Sequence, residues 1–138
     1  MEAAQALREL TEISSQIEAA CLFDAQGQTI ASTLPEGPVS DRFVAAARAL
    51  LDASDGVAHD SATGPLRQLE AATLGGSVFV VRDAELAVAA VTRPEPTSGL
   101  VFYDLKSCLR AAATEGDEDG KPRPKKRKQE PSPSESAA

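Results

Sequence analysis

The residues that could carry out acid–base or metal chemistry are few and lie apart in this sequence. The single histidine, His59, stands beside Asp60, and such a pair could form half of a catalytic triad or part of a metal site. There is no second histidine, neither cysteine is near in the sequence, and the acidic residues are scattered as on a solvated surface. We therefore expect His59 to be a solvated loop residue, and we expect no catalytic, cofactor or metal site.

Two further features favour structural roles over chemistry. Cys21 and Cys108 lie in apolar stretches far apart in the sequence, so we expect buried, reduced thiols rather than a disulfide or a redox pair. Gly75 and Gly76 join two strand-like segments and open no helix, so they do not form a phosphate-binding loop. No GxxxxGK[ST] motif occurs, and the chain is not expected to bind GTP itself.

The distribution of charge divides the chain into two parts. Residues 1–114 contain eight Lys and Arg against fifteen Asp and Glu, whereas residues 115–138 contain six of each. The second part has almost nothing apolar to bury and cannot offset the entropy lost on ordering. We predict one folded domain over 1–114 and a disordered tail over 115–138, acidic first and then basic. The basic residues of the tail are Lys121, Arg123, Lys125, Lys126, Arg127 and Lys128.

The basic run has several interpretations that the sequence leaves open. It could bind nucleic acid, an anionic membrane or an acidic partner, or serve as a nuclear import signal. It could equally be a solubilising tail that folds back on the acidic body of the chain. No apolar run reaches the ~18 residues of a membrane span, and the N-terminus has no secretory signal pattern. We expect a cytoplasmic protein.

The elements that must position these residues follow from hydrophobic periodicity. Helical spacing predicts an amphipathic helix over Ala3–Glu18, a second over Asp41–Ser54 capped by Ser40 or Asp41, and a third from Thr97 or Ser98 to about Ala113. Strand-like segments lie between them, and the last one is nearly all apolar, which predicts a central strand covered on both faces. The predicted strands are 20–24, 29–32, 67–74, 77–81 and 86–92. The order αββαβββα indicates an α/β (α+β) sandwich with a five-stranded, largely antiparallel sheet and helices on both faces.

The second helix and the strand after it have the pattern of a dimer interface. Aromatic residues make up only 4% of the chain, and oligomerisation is a common remedy for a thin core. The helix carries an apolar stripe that one side of a sheet can only partly bury, with alanines that let a twin helix approach. The strand alternates and could pair edge to edge with a second copy. The predicted dimer and partner interface comprises Phe43, Val44, Ala45, Ala46, Ala49, Leu50, Leu69, Ala71 and Thr73.

Three segments in this order resemble the Roadblock/LC7 family. The first is a strand ending in an acidic residue, a glycine turn and an Ile-Ala-Ser strand, and the others are the apolar strand and the start of the last helix. The matching residues are Asp24, Gly27, Ile30, Ala31, Ser32, Leu86–Ala90 and Ser98–Leu105. The resemblance covers about Ala3–Ala113. A family-typical glycine is Ala19 here, and the loop before the last helix carries Pro94 and Pro96.

The resemblance implies a profilin-like fold and a homodimer whose sheet continues across both protomers. Such dimers are platforms for small Ras-like GTPases or larger signalling complexes, and bacterial members often regulate a small GTPase. The first functional interpretation is a non-catalytic adaptor of this kind. It would influence GTP hydrolysis or nucleotide exchange by a small GTPase, or serve as a signalling scaffold. The second is a stand-alone dimerising anchor whose basic tail binds nucleic acid or anionic membrane.

Overall fold

The computed structural model describes residues 1–62 and 64–120 and contains three helices and five strands in the order expected from the sequence. In chain order the elements are α1 (Ala3–Ile13), β1 (Ile17–Asp24), β2 (Thr29–Ser32), α2 (Pro38–Asp60), β3 (Gln68–Thr73), β4 (Gly76–Arg82), β5 (Leu86–Thr92) and α3 (Ser98–Gly120). The predicted order αββαβββα is confirmed.

All neighbouring strands of the sheet are antiparallel, in the order β2-β1-β5-β4-β3. The apolar strand β5 lies in the middle, between β1 and β4, as its composition predicts. Its registers place Ala89 opposite both Cys21 and Val80. The two strands at the edges are β2, with four residues, and β3, with six. Of these, only β3 offers a regular edge of useful length.

Helices cover both faces of the sheet, as predicted. On one face α1 and α3 pack side by side, and their buried residues include Leu7, Leu10, Val101 and Leu105. On the other face α2 packs alone against Cys21, Phe23, Val80, Ala87 and Ala89. A single helix covers a five-stranded sheet less completely than a helix pair does. Part of the second face is therefore available for another contact.

The bounds of two helices differ from the prediction because tertiary contacts override local pattern. The predicted α1 over Ala3–Glu18 ends at Ile13, and Ile17 pairs with Thr92 as the first residue of β1. The predicted end of α3 near Ala113 is also wrong, since the helix continues to Gly120. The first residues of the predicted tail, 115–120, thus have a helical backbone. The rest of that tail lies outside the described residues.

The second helix is nine residues longer than the predicted Asp41–Ser54, and neither Ser40 nor Asp41 caps it. It begins at Pro38, which suits the first turn because proline has no N–H to leave unpaired. At the other end it continues through Gly56, which costs about 1 kcal/mol in a helix. The predicted loop residue His59 therefore lies in the last helical turn and is exposed.

The predicted β3–β4 hairpin is present, but its turn is displaced by one residue. Thr73 pairs with Gly76, so Leu74 and Gly75 form the turn. Gly76 has φ of 152°, and a Cβ there would lie 2.3 Å from the carbonyl oxygen of Thr92. The close approach of β5 therefore requires glycine at position 76. The β1–β2 turn is as predicted, with Gly27 at φ of 83°.

Candidate partner interface

One side of α2 carries an apolar stripe that the described part of the chain covers only in part. Val39, Phe43, Ala46, Leu50 and Val57 follow one another at intervals of three, four or seven residues, which places them on one side of a helix. Val39 and Val57 are 57% and 68% exposed, Ala46 is exposed, and Phe43 and Leu50 are half-buried. We call these five residues the α2 stripe. It has the spacing of a helix that packs against another helix.

The predicted interface residues on α2 divide into three groups. Phe43, Ala46 and Leu50 belong to the α2 stripe. Val44 does not belong to any accessible surface, because it is 3% exposed and packs on the sheet with Ala47 and Leu51. Its placement in the interface was wrong, since it lies one position beyond the stripe, on the side of the helix that contacts the sheet. Ala45 and Ala49 are exposed and lie around the helix from the stripe.

The predicted residues of β3 lie on the same face of the sheet as α2. Leu69 pairs with Val80 and packs at the margin of the core under α2, and Ala71 pairs with Val78 on the same face. Both are half-buried, whereas Thr73, at the end of the strand, is exposed. The Thr73 hydroxyl donates to the carbonyl oxygen of Gly76 at 2.7 Å, within the hairpin turn. The predicted strand residues are therefore on one surface with the α2 stripe.

The outer edge of β3 completes this surface. β3 pairs with β4 along all six residues, and no described strand pairs with its other side. An open edge presents backbone N–H and C=O groups that another strand can bind. The Ser98 hydroxyl of α3 donates to a carboxylate oxygen of Glu70 at 2.9 Å. This contact is made by side chains on the α3 face, so it does not occupy the backbone groups of the β3 edge. An edge of this kind is suited to pairing with a second chain.

Contacts along its length hold α2 in place on the sheet. Near its start, the Ser40 hydroxyl donates to that of Ser32 at 3.2 Å, and Ser32 also contacts the thiol of Cys21. In the middle, Arg48 donates to the carbonyl oxygen of Gln26 at 3.0 Å. These contacts are made by the sides of the helix away from the α2 stripe. The stripe is therefore held in position, with Val39, Ala46 and Val57 still exposed.

Near the end of α2, the Asp55 carboxylate binds two groups of the sheet side. It accepts hydrogen bonds from the Arg82 guanidinium and, at 3.0 Å, from the backbone N–H of Leu66. Arg82 also donates a hydrogen bond to the carbonyl oxygen of Leu66 at 2.7 Å. The Arg82 hydrogen bond, followed by the one from Leu66, lowers the pKa of Asp55. This bridge joins the end of α2 to β4 and to the segment before β3.

The groups considered for chemistry do not assemble into a site among the described residues. Cys21 and Cys108 are free and buried on opposite faces of the sheet. Burial raises the pKa of the Cys21 thiol, and it raises that of Cys108 to about 11, so both thiols are poor nucleophiles. Within residues 1–62 and 64–120 no group of three or more His, Cys, Asp and Glu could hold a metal ion.

The predicted electrostatic residues of the tail, from Lys121 to Lys128, lie outside the described residues. For the described part of the chain, no helix has both the length and the apolar character needed to cross a membrane.

Sequence reasoning missed four residues of this surface. Val39 and Val57 lie outside the predicted helix Asp41–Ser54 but inside the observed one, Pro38–Asp60. A stripe continued at helical spacing past Asp41 and Ser54 would have found them. Val78 and Val91 face α2 beside Ala71 and are half-buried. Their partial exposure follows from the position of α2, which the sequence does not show.

Comparison with known proteins agrees with this architecture. The Roadblock/LC7 domain family model matches residues 3–93. The fold is similar to the Roadblock/LC7 domain of Streptomyces avermitilis, with a TM-score of 0.76 at 14% identity, over 83% of this chain and 98% of that one. It is similar to the gliding protein MglB of Thermus thermophilus, with a TM-score of 0.71 at 17% identity, over 84% and 89%.

The profilin-like character of the fold is also confirmed. Profilin II of Acanthamoeba castellanii matches with a TM-score of 0.51 at 16% identity, over 74% of this chain and 89% of that one. A sequence search of curated proteins finds no match. The family model covers well over half of the chain and spans the helix, hairpin and sheet described above, and the chain belongs to the Roadblock/LC7 family.

Proposed function

We propose that this protein is a homodimeric, non-catalytic adaptor that regulates or scaffolds a small Ras-like GTPase in the cytoplasm. The observation that carries the proposal is the α2 stripe lying on one surface with the open edge of β3. An apolar helix side and an unpaired strand edge are both costly to leave exposed, and one symmetric contact can cover both.

A twofold arrangement satisfies both features together. Two copies of β3 paired antiparallel would be related by a twofold axis, so the same residues meet on each side. The five-stranded sheet would then continue into its twin. Because the α2 stripe lies beside β3 on one face, the two stripes would come together above the joined strands. Ala46 lies within the stripe, and its small side chain permits close approach of the twin helix.

The other exposed side of α2 is the proposed docking surface for the GTPase. Ala45 and Ala49 are exposed there and make no contact with the sheet. In the proposed dimer this side of both helices faces outward and presents two copies of a flat, small-residue surface. Bacterial members of the Roadblock/LC7 family often regulate a small GTPase, which supports a GTPase as the class of partner. The chain itself has no GxxxxGK[ST] motif, so the nucleotide would be bound by the partner.

The test is binding of the full chain to the small Ras-like GTPases encoded in its own genome. Each GTPase is loaded with GDP or with a non-hydrolysable GTP analogue, and affinity, hydrolysis rate and exchange rate are measured. We expect one GTPase to bind with a preference for one nucleotide state. Ala49→Glu should weaken that binding at least tenfold without dissociating the dimer.

The matched control is Ala113→Glu, an exposed alanine on α3, across the sheet from α2. It should bind the GTPase like the wild type. The proposal is wrong if no GTPase binds, or if Ala49→Glu and Ala113→Glu have equal effects. His59→Ala should leave any effect on hydrolysis or exchange unchanged, because the adaptor provides no acid–base group of its own.

A further inference from the structure

A second surface, on the face of the sheet opposite α2, has a different chemistry. A pocket of about 490 Å³ opens between α3 and the ends of β3 and β4. Lys106, Leu109 and Arg110 form its helical wall, and Arg67 and Gln68 form its strand wall. Val81 and Leu109, both 4% exposed, lie at its base. None of its lining residues belongs to the α2 stripe.

The pocket concentrates positive charge in an acidic domain. Residues 1–114 contain eight Lys and Arg, and four of these line the pocket. Arg82 is engaged by Asp55 and Leu66. Arg67, Lys106 and Arg110 form no ion pair with any acidic side chain that the structure describes, and Arg110 donates only to the hydroxyl of Ser107, at 3.3 Å. Three cations therefore surround one opening without a carboxylate partner.

The acidic residue of the pocket, Asp83, keeps its charge but forms no ion pair with these cations in the part of the chain that the structure describes. Asp83 lines the opening, but its Oδ1 accepts the backbone N–H groups of Glu85 and Leu86 at 2.9 and 2.8 Å. Its carboxylate is thus held in the β4–β5 turn. Like charges around one opening repel each other and contribute nothing favourable to folding. With fifteen Asp and Glu in the same residues, the absence of pairing at this place points to a ligand.

We propose that this pocket binds the phosphate group of a small ligand. Lys106 and Arg110 lie one turn apart on α3, and Arg67 lines the pocket at its strand wall. A phosphate carries more charge than a carboxylate, and guanidinium groups bind its oxygens in a bidentate way. The volume is within the range of pockets that hold small molecules.

Inorganic pyrophosphate is the probe, added to the full chain and followed by isothermal titration calorimetry and by amide chemical shifts. We expect one pyrophosphate per chain, with shifts confined to the ends of β3 and β4 and to α3 near Lys106. Arg67→Ala, Lys106→Ala and Arg110→Ala should each weaken binding at least tenfold. The matched controls Arg8→Ala and Arg93→Ala remove exposed cations outside the pocket and should bind like the wild type.

The basic tail is the main competing site and needs its own variant. Replacing its six basic residues, Lys121 to Lys128, by alanine in the full chain should leave the pocket affinity unchanged. Loss of binding in that variant, or equal weakening in the Arg8→Ala control, overturns the proposal. Tighter binding of ADP than of pyrophosphate supports a nucleotide as the source of the phosphate, and equal binding supports a simpler phosphate compound. Tighter binding of an acidic peptide overturns the proposal in favour of protein docking.

Discussion

Replacing Ala46 by glutamate is the sharpest perturbation of the proposed dimer. Ala46 is exposed in the single chain and lies in the α2 stripe between Phe43 and Leu50. On an exposed helix position glutamate costs only a few tenths of a kcal/mol relative to alanine, so the fold of each protomer is retained. In the dimer the new carboxylate would lie against the twin stripe, away from water, and Arg42, one turn earlier on α2, would offset only part of its charge.

The expected magnitude follows from the burial of that charge. An uncompensated buried charge costs about 3 kcal/mol, and the twofold axis introduces it twice. The dimer would then be weakened by up to about 6 kcal/mol, or about 10⁴-fold in dissociation constant. The dissociation constant of a nanomolar dimer would thereby rise to about 10 μM, so the variant would be mostly monomeric at about 1 μM. The fold of each protomer would be retained.

The assay is sedimentation equilibrium of the wild type, Ala46→Glu and the matched variant Ala45→Glu. Ala45 is the next residue, equally an exposed alanine on α2, but it lies about 100° around the helix from the stripe. We expect Ala46→Glu to be monomeric and Ala45→Glu to remain dimeric. If both variants remain dimers, or if both dissociate, the α2 stripe is not the contact and the reasoning fails.

Three further outcomes test the fold around this surface. Gly76→Ala should destabilise the chain by about 3 kcal/mol through a clash with β5, and Gly75→Ala, with open space around it, should be nearly neutral in a denaturant titration. Asp55→Asn should cost up to about 1 kcal/mol at pH 7. Because Arg82 lowers the folded-state pKa of Asp55 below its ordinary 3.8, the difference in unfolding free energy between wild type and variant should vanish as the pH falls through the lowered pKa. If that difference is unchanged at low pH, the ion pair is excluded. With the pKa of Cys108 at about 11, only about one such thiol in a thousand is ionised at pH 8, so Ellman's reagent should react with the thiols only after unfolding; rapid reaction of the native chain would contradict their burial.

The strands were largely predictable because their patterns are short and most neighbouring strands, all but the pair β1 and β5, are consecutive in the chain. β5 was identified in both bounds and position, since a nearly all-apolar run of seven residues has to be covered on both faces. β4 differed from its predicted range by one residue at each end. The pairing of β3 with β4 follows from the hairpin pattern. The need for glycine at position 76 was not predictable from the hairpin, because it comes from the nearby carbonyl oxygen of Thr92 on β5.

The helix ends were less predictable because contacts distant in sequence determine them. The end of α1 depends on the pairing of Ile17 with Thr92, and the end of α2 depends on the Asp55 contacts with Arg82 and Leu66. The error in α2 also explains the incomplete interface, since a helix taken to begin at Asp41 and end at Ser54 excludes Val39 and Val57. Val44 was misplaced because one position on a helix changes the facing direction by about 100°.

The molar mass of the wild-type chain in solution tests the central claim most directly. The full-length protein is examined by size exclusion with multi-angle light scattering at several concentrations down to about 1 μM, at physiological salt. A contact that covers both an apolar helix side and a strand edge predicts twice the chain mass of 14.4 kDa throughout this range. A mass of 14.4 kDa at these concentrations would contradict the dimer and, with it, the proposed GTPase platform.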